Sequence, residues 1–334
     1  MEYSISAHYN GKFILPDFSL VLPVSIKPLL AADAPKVYSL TWRYYHPLLH
    51  AIETDLPSIV RPCALVAWVD ELPVGLILSA AADDHRVEAG QQRVLSLMVS
   101  PAWRRRGIAR QLLAALEEQR EKLALRGISI SYSDRLPGAP ALARLLPSLG
   151  WSDVQPQRLR ICGEGRQTGV IFRNQTALLR RLERHGLRIC AWRERAEAAE
   201  ALAGRCIAEE KAPMWTSPAM WAERLDPDLS LILLDKTDTA VGWVICEYQA
   251  AMARWHYPVG WVVPPYDTQG WLLVAYADGA RRLVERHGET AVAVIETGSE
   301  QHGMWTVLEK HFKPHVTWTD RLMYSERRFD ASAQ

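Results

Sequence analysis

The chain has 334 residues, a length that predicts two domains at roughly 150 residues each. Hydrophobic residues make up 49% of it and charged residues 23%, a globular composition that excludes a largely disordered chain. Thirty-nine basic residues against 38 acidic ones give a formal net charge of +1, which argues against a general nucleic-acid binder.

The first residues, 1–22, alternate aromatic and polar side chains and predict an added strand or hairpin. They lack a basic stretch followed by an apolar one, so no signal peptide is expected. No apolar run approaches a membrane span. A short strand at 24–27 precedes a helix. Residues 65–69 read as a strand, Asp70-Glu71-Leu72-Pro73 as a turn and 74–78 as the returning strand. An apolar strand follows at 94–99, an amphipathic helix at 107–125, a strand at 128–132 and a short helix ending near Gly150-Trp151. A linker helix is expected at 175–185.

The same series then recurs. Ile26 maps on Ile189, Gly75 on Gly242 and Gly107 on Gly270, at offsets of 163, 167 and 163 residues. The pattern predicts two copies of one β-α-β-β-β-α-β-α-β unit, at 23–165 and 187–330, with an extension at 1–22 and a linker at 166–186. Each copy belongs to the α/β (α+β) class. Five cysteines (Cys63, Cys162, Cys190, Cys206 and Cys246) show no C-x-x-C spacing. They predict buried thiols in a reducing, cytoplasmic setting, with no disulfide framework and no metal site. Nine of the 13 tryptophans lie after residue 190.

The segment richest in chemistry is Pro101-Ala102-Trp103-Arg104-Arg105-Arg106-Gly107-Ile108-Ala109. It follows an apolar strand and opens a helix. Backbone N–H groups at a helix start have no intrahelical partner, and the helix dipole favours an anion there. Gly107 lets the backbone approach that anion, and three arginines add charge. Arginines oppose the dipole at this end, a cost that an anion between them offsets.

Arg104-x-x-Gly107-x-Ala109, preceded by Val99-x-Pro101-x-Trp103 and followed by Leu112-Leu113, resembles motif A of the GNAT acyl-CoA N-acyltransferase superfamily. The resemblance covers the first copy well and the second weakly. It implies two tandem GNAT-like domains, each a mixed, mostly antiparallel sheet flanked by helices. It also implies acetyl-CoA or another acyl-CoA as co-substrate. Arg104, Arg105, Arg106, Gly107, Ile108 and Ala109 would hold the coenzyme A pyrophosphate. Leu97, Met98 and Val99 would bond the pantetheine arm, in a gap that a bulge opens beside their strand.

The family's usual base, a Glu on the motif strand, falls at Leu95, and its usual acid, a Tyr, falls at Leu146. Tyr132 is the candidate substitute acid and Glu88 the candidate substitute base, with Glu247 of the second copy facing across the interface as another proton acceptor. In the second copy, Asp267 stands near the first arginine's place, and the arginine triplet is gone, so only the first copy is expected to bind coenzyme A. The tryptophans of the second copy then fill its core, pack the interdomain face or line a substrate groove. The expected activity is transfer of an acyl group, acetyl or a longer fatty chain, to an amine of a small molecule or peptide. The expected assembly is a monomer with an internal pseudo-dimer, or a homodimer. A non-catalytic acyl-CoA sensor or scaffold is the alternative.

Overall fold

The computed structural model describes residues 23–53, 62–81, 91–120, 122–123 and 125–329. The first half runs β1 (Ser25–Pro28), a tight 3-10 stretch (Ala31–Leu40), α1 (His46–His50), β2 (Cys63–Val69), β3 (Leu72–Ala81), β4 (Gln91–Val99), α2 (Ile108–Glu118), β5 (Gly127–Ser133), α3 (Ala139–Leu145) and β6 (Gln155–Glu164). Two helices, α4 (Gly165–Asn174) and α5 (Thr176–Arg184), lead to the second half. It runs β7 (Arg188–Ala191), α6 (Trp192–Ala208), β8 (Leu231–Leu234), β9 (Ala240–Gln249), β10 (Arg254–Val262), α7 (Trp271–His287), β11 (Val292–Gly298), α8 (His302–Val307) and β12 (Trp318–Arg328).

Local chemistry trims several expected elements. The first hairpin turns on Asp70 and Glu71 alone, because Asp70 takes φ +51° and Leu72 already pairs with Val69. Aspartate tolerates this left-handed conformation better than most residues. Helix α2 buries one stripe, Ile108, Leu112, Leu113 and Leu116, and ends at Glu118 rather than 125. The next positions on that stripe, Gln119 and Arg120, are polar and have nothing to bury. The expected linker helix is α5, and α4 precedes it as a second one.

The strands form one 12-stranded sheet in the order β1-β2-β3-β4-β5-β12-β6-β11-β10-β9-β8-β7. All pairs are antiparallel except β4–β5 and β10–β11, which are parallel. The strand that closes each repeated unit in sequence has moved to the other half. β6 pairs with β11, Ile161 opposite Ile295, and β12 pairs with β5, Tyr324 opposite Ser131. β6 and β12 also pair with each other, so the two halves share a continuous sheet.

Apolar clusters cover both faces. In the first half α2 packs on Ile77, Ile128, Ile130 and Leu65. The 3-10 stretch and α1 pack on Val66, Leu76 and Leu78 from the opposite face. In the second half α7 and α6 cover the equivalent two faces.

Candidate functional site

The parallel pairing of β4 with β5 runs from Gln91–Gly127 to Val94–Ile130 and stops there. At the same point β4 carries an extra residue against β3. Val94 lies opposite Ser79 and Ser96 opposite Leu78, which leaves Leu95 as the bulge. A bulge increases local twist, and the two strands part beyond it. Leu97, Met98 and Val99 keep their partners on β3 and turn their other edge to the fork. Free backbone groups on such an edge suit an extended ligand lying as an added strand.

The turn beyond β4 sits at the mouth of this fork. Arg105 takes φ +63° and Gly107 φ +77°, and Gly107 caps α2 without a side chain. The first N–H groups of the helix, from Ile108 and Ala109 onward, therefore point outward unpartnered by any earlier turn. A Cβ on Gly107 would meet nothing within 4 Å, so the ground before the helix is open. Arg104 Nε donates to the Val99 carbonyl at 3.0 Å, which ties the turn to the end of β4. The Arg106 guanidinium lies 4.7 Å from the centre of the Trp103 ring. Ile108 is buried and contributes backbone alone. Arg104, Arg105, Arg106, Gly107, Ile108 and Ala109 thus converge on one surface beside Leu97, Met98 and Val99. Their charge and their open cradle fit a pyrophosphate.

Tyr132 lies near the end of β5, past the last pair with β4. It is 7% exposed, and its hydroxyl has no hydrogen-bond partner among the described residues. The ring packs on the α2 side with Leu146 and Trp151. Burial raises its pKa, so the phenol keeps its proton near neutrality. Leu146 is fully buried in that same core, while Leu95 packs on the opposite face. Glu88 and its acidic neighbours lie outside the described residues.

Sequence reasoning passed over the cluster that shares Leu95's face. Tyr38 and Tyr45 pack there with Leu95. The Tyr38 ring stacks on His46 at 4.0 Å between centroids, and its hydroxyl bonds to His50 Nε2. The available signal was the histidine pair four residues apart beside Trp42, Tyr44 and Tyr45.

The second half repeats the fork and closes it. β10 and β11 pair from Trp255–Ala293 to Tyr257–Ile295, then part beside a register shift between His256 and Val259. Gly270 caps α7 at φ +86°, as Gly107 caps α2. A Cβ on Gly260 would lie 2.7 Å from Leu272 Cδ1 and closer still to the Tyr276 hydroxyl, so α7 side chains fill the gap. Leu178 of α5 sits on Gly270, with its Cδ2 3.2 Å from where a Cβ would stand. Trp243 and Trp271 are fully buried core, and Trp215, Trp221 and Trp261 pack under α6.

Glu247 faces inward within its own half and not across to the first fork. Its Oε1 lies 3.0 Å from His256 Nδ1. His256 Nε2 lies 3.8 Å from Glu296, whose other oxygen accepts from Arg158 at 2.7 Å. Burial works against every charge in this chain. The hydrogen bonds and opposite charges outweigh it, lowering the pKa of Glu247 and of Glu296 and raising that of His256.

The acetyltransferase (GNAT) domain family matches residues 61–151. A solved tandem GNAT protein from the clavulanic acid biosynthesis pathway is 17% identical, with 93% of this chain and 100% of that one covered at a TM-score of 0.57. A GCN5-related N-acetyltransferase from Sphaerobacter thermophilus is also 17% identical, with 94% and 100% covered at 0.51. A glucosamine N-acetyltransferase region of a fungal multi-domain β-N-acetylglucosaminidase is 12% identical, with 91% of this chain and 38% of that one covered at 0.59. These likenesses speak for the fold. No curated protein matches. Residues 61–151, which span the fork and the turn of the first half, thus match the acetyltransferase (GNAT) domain family, and the tandem GNAT fold extends over nearly the whole chain.

Proposed function

We propose that the protein transfers an acyl group, acetyl by default, from acyl-CoA to an amine of a small molecule or peptide, at the fork between β4 and β5. The observation that carries this reading is the fork itself, opened by a bulge at Leu95 directly ahead of the Arg104–Ala109 turn. Acyl-CoA supplies an activated thioester. The turn's N–H groups and arginines bind the pyrophosphate, and the free edge at Leu97, Met98 and Val99 aligns the pantetheine arm. That alignment places the thioester carbonyl at the fork, where positioning supplies much of the rate.

Tyr132 protonates the departing thiolate. Glu88 is the candidate base, and an amine already neutral in part needs none. The second half, whose sheet runs on from the first, contributes to the acceptor's side of the fork. The chain works as a monomer with an internal pseudo-dimer.

The leucines at 95 and 146 favour a second reading, an acyl-CoA sensor without turnover. Incubation with acetyl-CoA and a panel of primary amines, followed by free-thiol detection, separates the two. Amine-dependent thiol release is expected. Tight coenzyme A binding with no thiol release from any amine supports the sensor.

A further inference from the structure

A groove of about 480 Å³ opens on the second half, where the end of α5, the turn between β8 and β9 and the turn ahead of α7 meet. It lies outside the second fork, and neither β10 nor β11 lines it. Three basic side chains reach it, Arg181 and His185 from the end of α5 and Lys236 from the hairpin turn.

Their placement follows from packing. Positions 178, 181, 182 and 185 recur at helical spacing and share one face of α5. Leu178 seats on Gly270 and Leu182 is 2% exposed, so this face is turned to the second half. Arg181 and His185 ride on it, while Arg180 and Arg184 take the opposite face. Gly186 follows at φ +96°, and a Cβ there would lie 2.8 Å from Lys236 Cα, so the chain leaving α5 runs against the backbone of Lys236.

These three side chains make no hydrogen bond or ion pair among the described residues. The helix end does not call on them, because the N–H groups of His185, Gly186 and Leu187 already bond to the carbonyls of Arg181, Leu182 and Glu183. Asp235 is the single carboxylate in the lining. Its Oδ1 accepts from the hydroxyl and N–H of Thr237 and from the N–H of Thr239, and its Oδ2 accepts from Tyr266 at 3.2 Å. These bonds, the Thr237 hydroxyl's first, lower its pKa and hold its charge within the turn. Gln269 is engaged at both ends of its amide, with Pro265 and Trp271. The donors left for a ligand are therefore the cations. A guanidinium and an ammonium side by side suit a compact anion with several acceptor oxygens, and phosphate is the anion whose geometry an arginine matches with two bonds. Leu182 and the Tyr266 ring add apolar surface in a space larger than a phosphate ion fills.

We propose that this groove binds the phosphate group of a small phosphorylated molecule, with Arg181 and Lys236 as the charged donors and His185 beside them. The site is separate from the acyl-CoA fork and does not rest on the transfer reaction proposed above. The second turn has lost its arginines, and the linker and the hairpin turn bring cations to its outer side instead.

The test is calorimetric titration of the full-length protein, without acyl-CoA, by inorganic phosphate and by n-propyl phosphate. It is run in about 150 mM sodium chloride, where exposed charges more than about 8 Å apart are largely screened. Saturable binding is expected. Tighter binding of the ester identifies an organic phosphate as the ligand, and equal or weaker binding of the ester identifies the free ion. The first turn also attracts phosphate, so variants assign the site. Arg181 and Lys236 are exposed, so the double variant Arg181→Gln, Lys236→Gln should fold. It should lose one phosphate site or weaken it about tenfold or more, as loss of bonds to a charged group does. Arg104→Ala should keep that site. No saturable binding of either compound at millimolar concentration, or an isotherm unchanged in the double variant, would overturn the proposal. Because no acyl donor is present, its failure leaves the transfer reaction untouched, and absence of thiol release leaves the groove untouched.

Discussion

Leu178 of α5 lies against Gly270, the residue that caps α7, with its methyl carbon 3.2 Å from the place of a Cβ. In the first half no described residue comes within 4 Å of the equivalent place on Gly107. The linker thus covers the one helix start in the second half that would take a pyrophosphate. Tyr276 and Leu272 close the fork behind it. One coenzyme A per chain is therefore the expected stoichiometry in calorimetry. A second site of similar affinity would show that α5 and α7 yield to the ligand.

Arg104 and Gly107 would serve the proposed donor site differently. Arg104 ties the turn to Val99 and brings charge, so Arg104→Ala should weaken coenzyme A binding by about 1.5–3 kcal/mol. Gly107 has space around it but a left-handed backbone. Gly107→Glu places a carboxylate where the proposed pyrophosphate would lie and adds about 1–2 kcal/mol of backbone strain. Binding should be lost while circular dichroism shows the fold intact. Normal turnover by Gly107→Glu would put the donor site elsewhere.

Tyr132→Phe distinguishes a proton donor from a packing residue. Its hydroxyl is buried with no partner among the described residues, so removing it should leave stability equal or higher, the reverse of the usual cost of losing a bonded polar group. If the phenol protonates the thiolate, kcat should fall by about 10²-fold with KM for acyl-CoA little changed. The alkaline limb of the pH–rate profile should also disappear. Unaltered kcat with raised stability would make Tyr132 a core residue and nothing more.

The exchange of β6 and β12 predicts that neither half is complete alone. Without β12, the first half leaves β5 as a bare edge beside the fork. Unpaired edges of this kind associate or aggregate. Fragments 1–185 and 186–334, produced together, should co-purify as a one-to-one pair. The first fragment alone should be poorly soluble or should self-associate. A monomeric first fragment that binds coenzyme A would mean that β6 can turn back and close its own half.

The repeat was legible because it rests on local signals, and the turn proposed to bind an anion rests on signals of the same kind. The glycines at 75 and 242, and at 107 and 270, recur with their flanking strands and helices, and a basic turn before an amphipathic helix is a short-range pattern. The strand exchange was not legible. β6 and β12 are strands whose sequences carry pairing capacity but no record of which edge takes it. The same limit hid the closure of the second fork. Asp267 hinted that the turn had lost its ligand, but that Leu178 and Tyr276 occupy the place depends on how α5 and α7 pack. Glu247 misled for a related reason. A carboxylate on a strand beside the expected cleft looks reactive until the imidazole of His256 appears behind it.

That imidazole sets the last prediction. Three titratable groups lie in a row across β9, β10 and β11: Glu247, His256 and Glu296. Gln249 Nε2 donates to Glu247, and Arg224, Arg158 and Arg254 stand nearby. The two carboxylates have pKa values below their ordinary one. Their contribution to stability is present above about pH 4.3, the free glutamate value, and is lost as pH falls through the folded values. His256 shifts the other way. Its contribution is complete below about pH 6.5, the free histidine value, and is lost as pH rises through the raised folded one. Stability should therefore peak between these limits and decline on the alkaline side. His256→Ala leaves Glu247 and Glu296 buried with only their arginine and glutamine partners. It should cost about 3 kcal/mol near pH 6, the low end for breaking a buried pair, and less above the histidine's folded pKa. Thermal unfolding followed across pH checks both points. A variant whose deficit is the same at every pH would show that His256 packs in the sheet as a neutral ring.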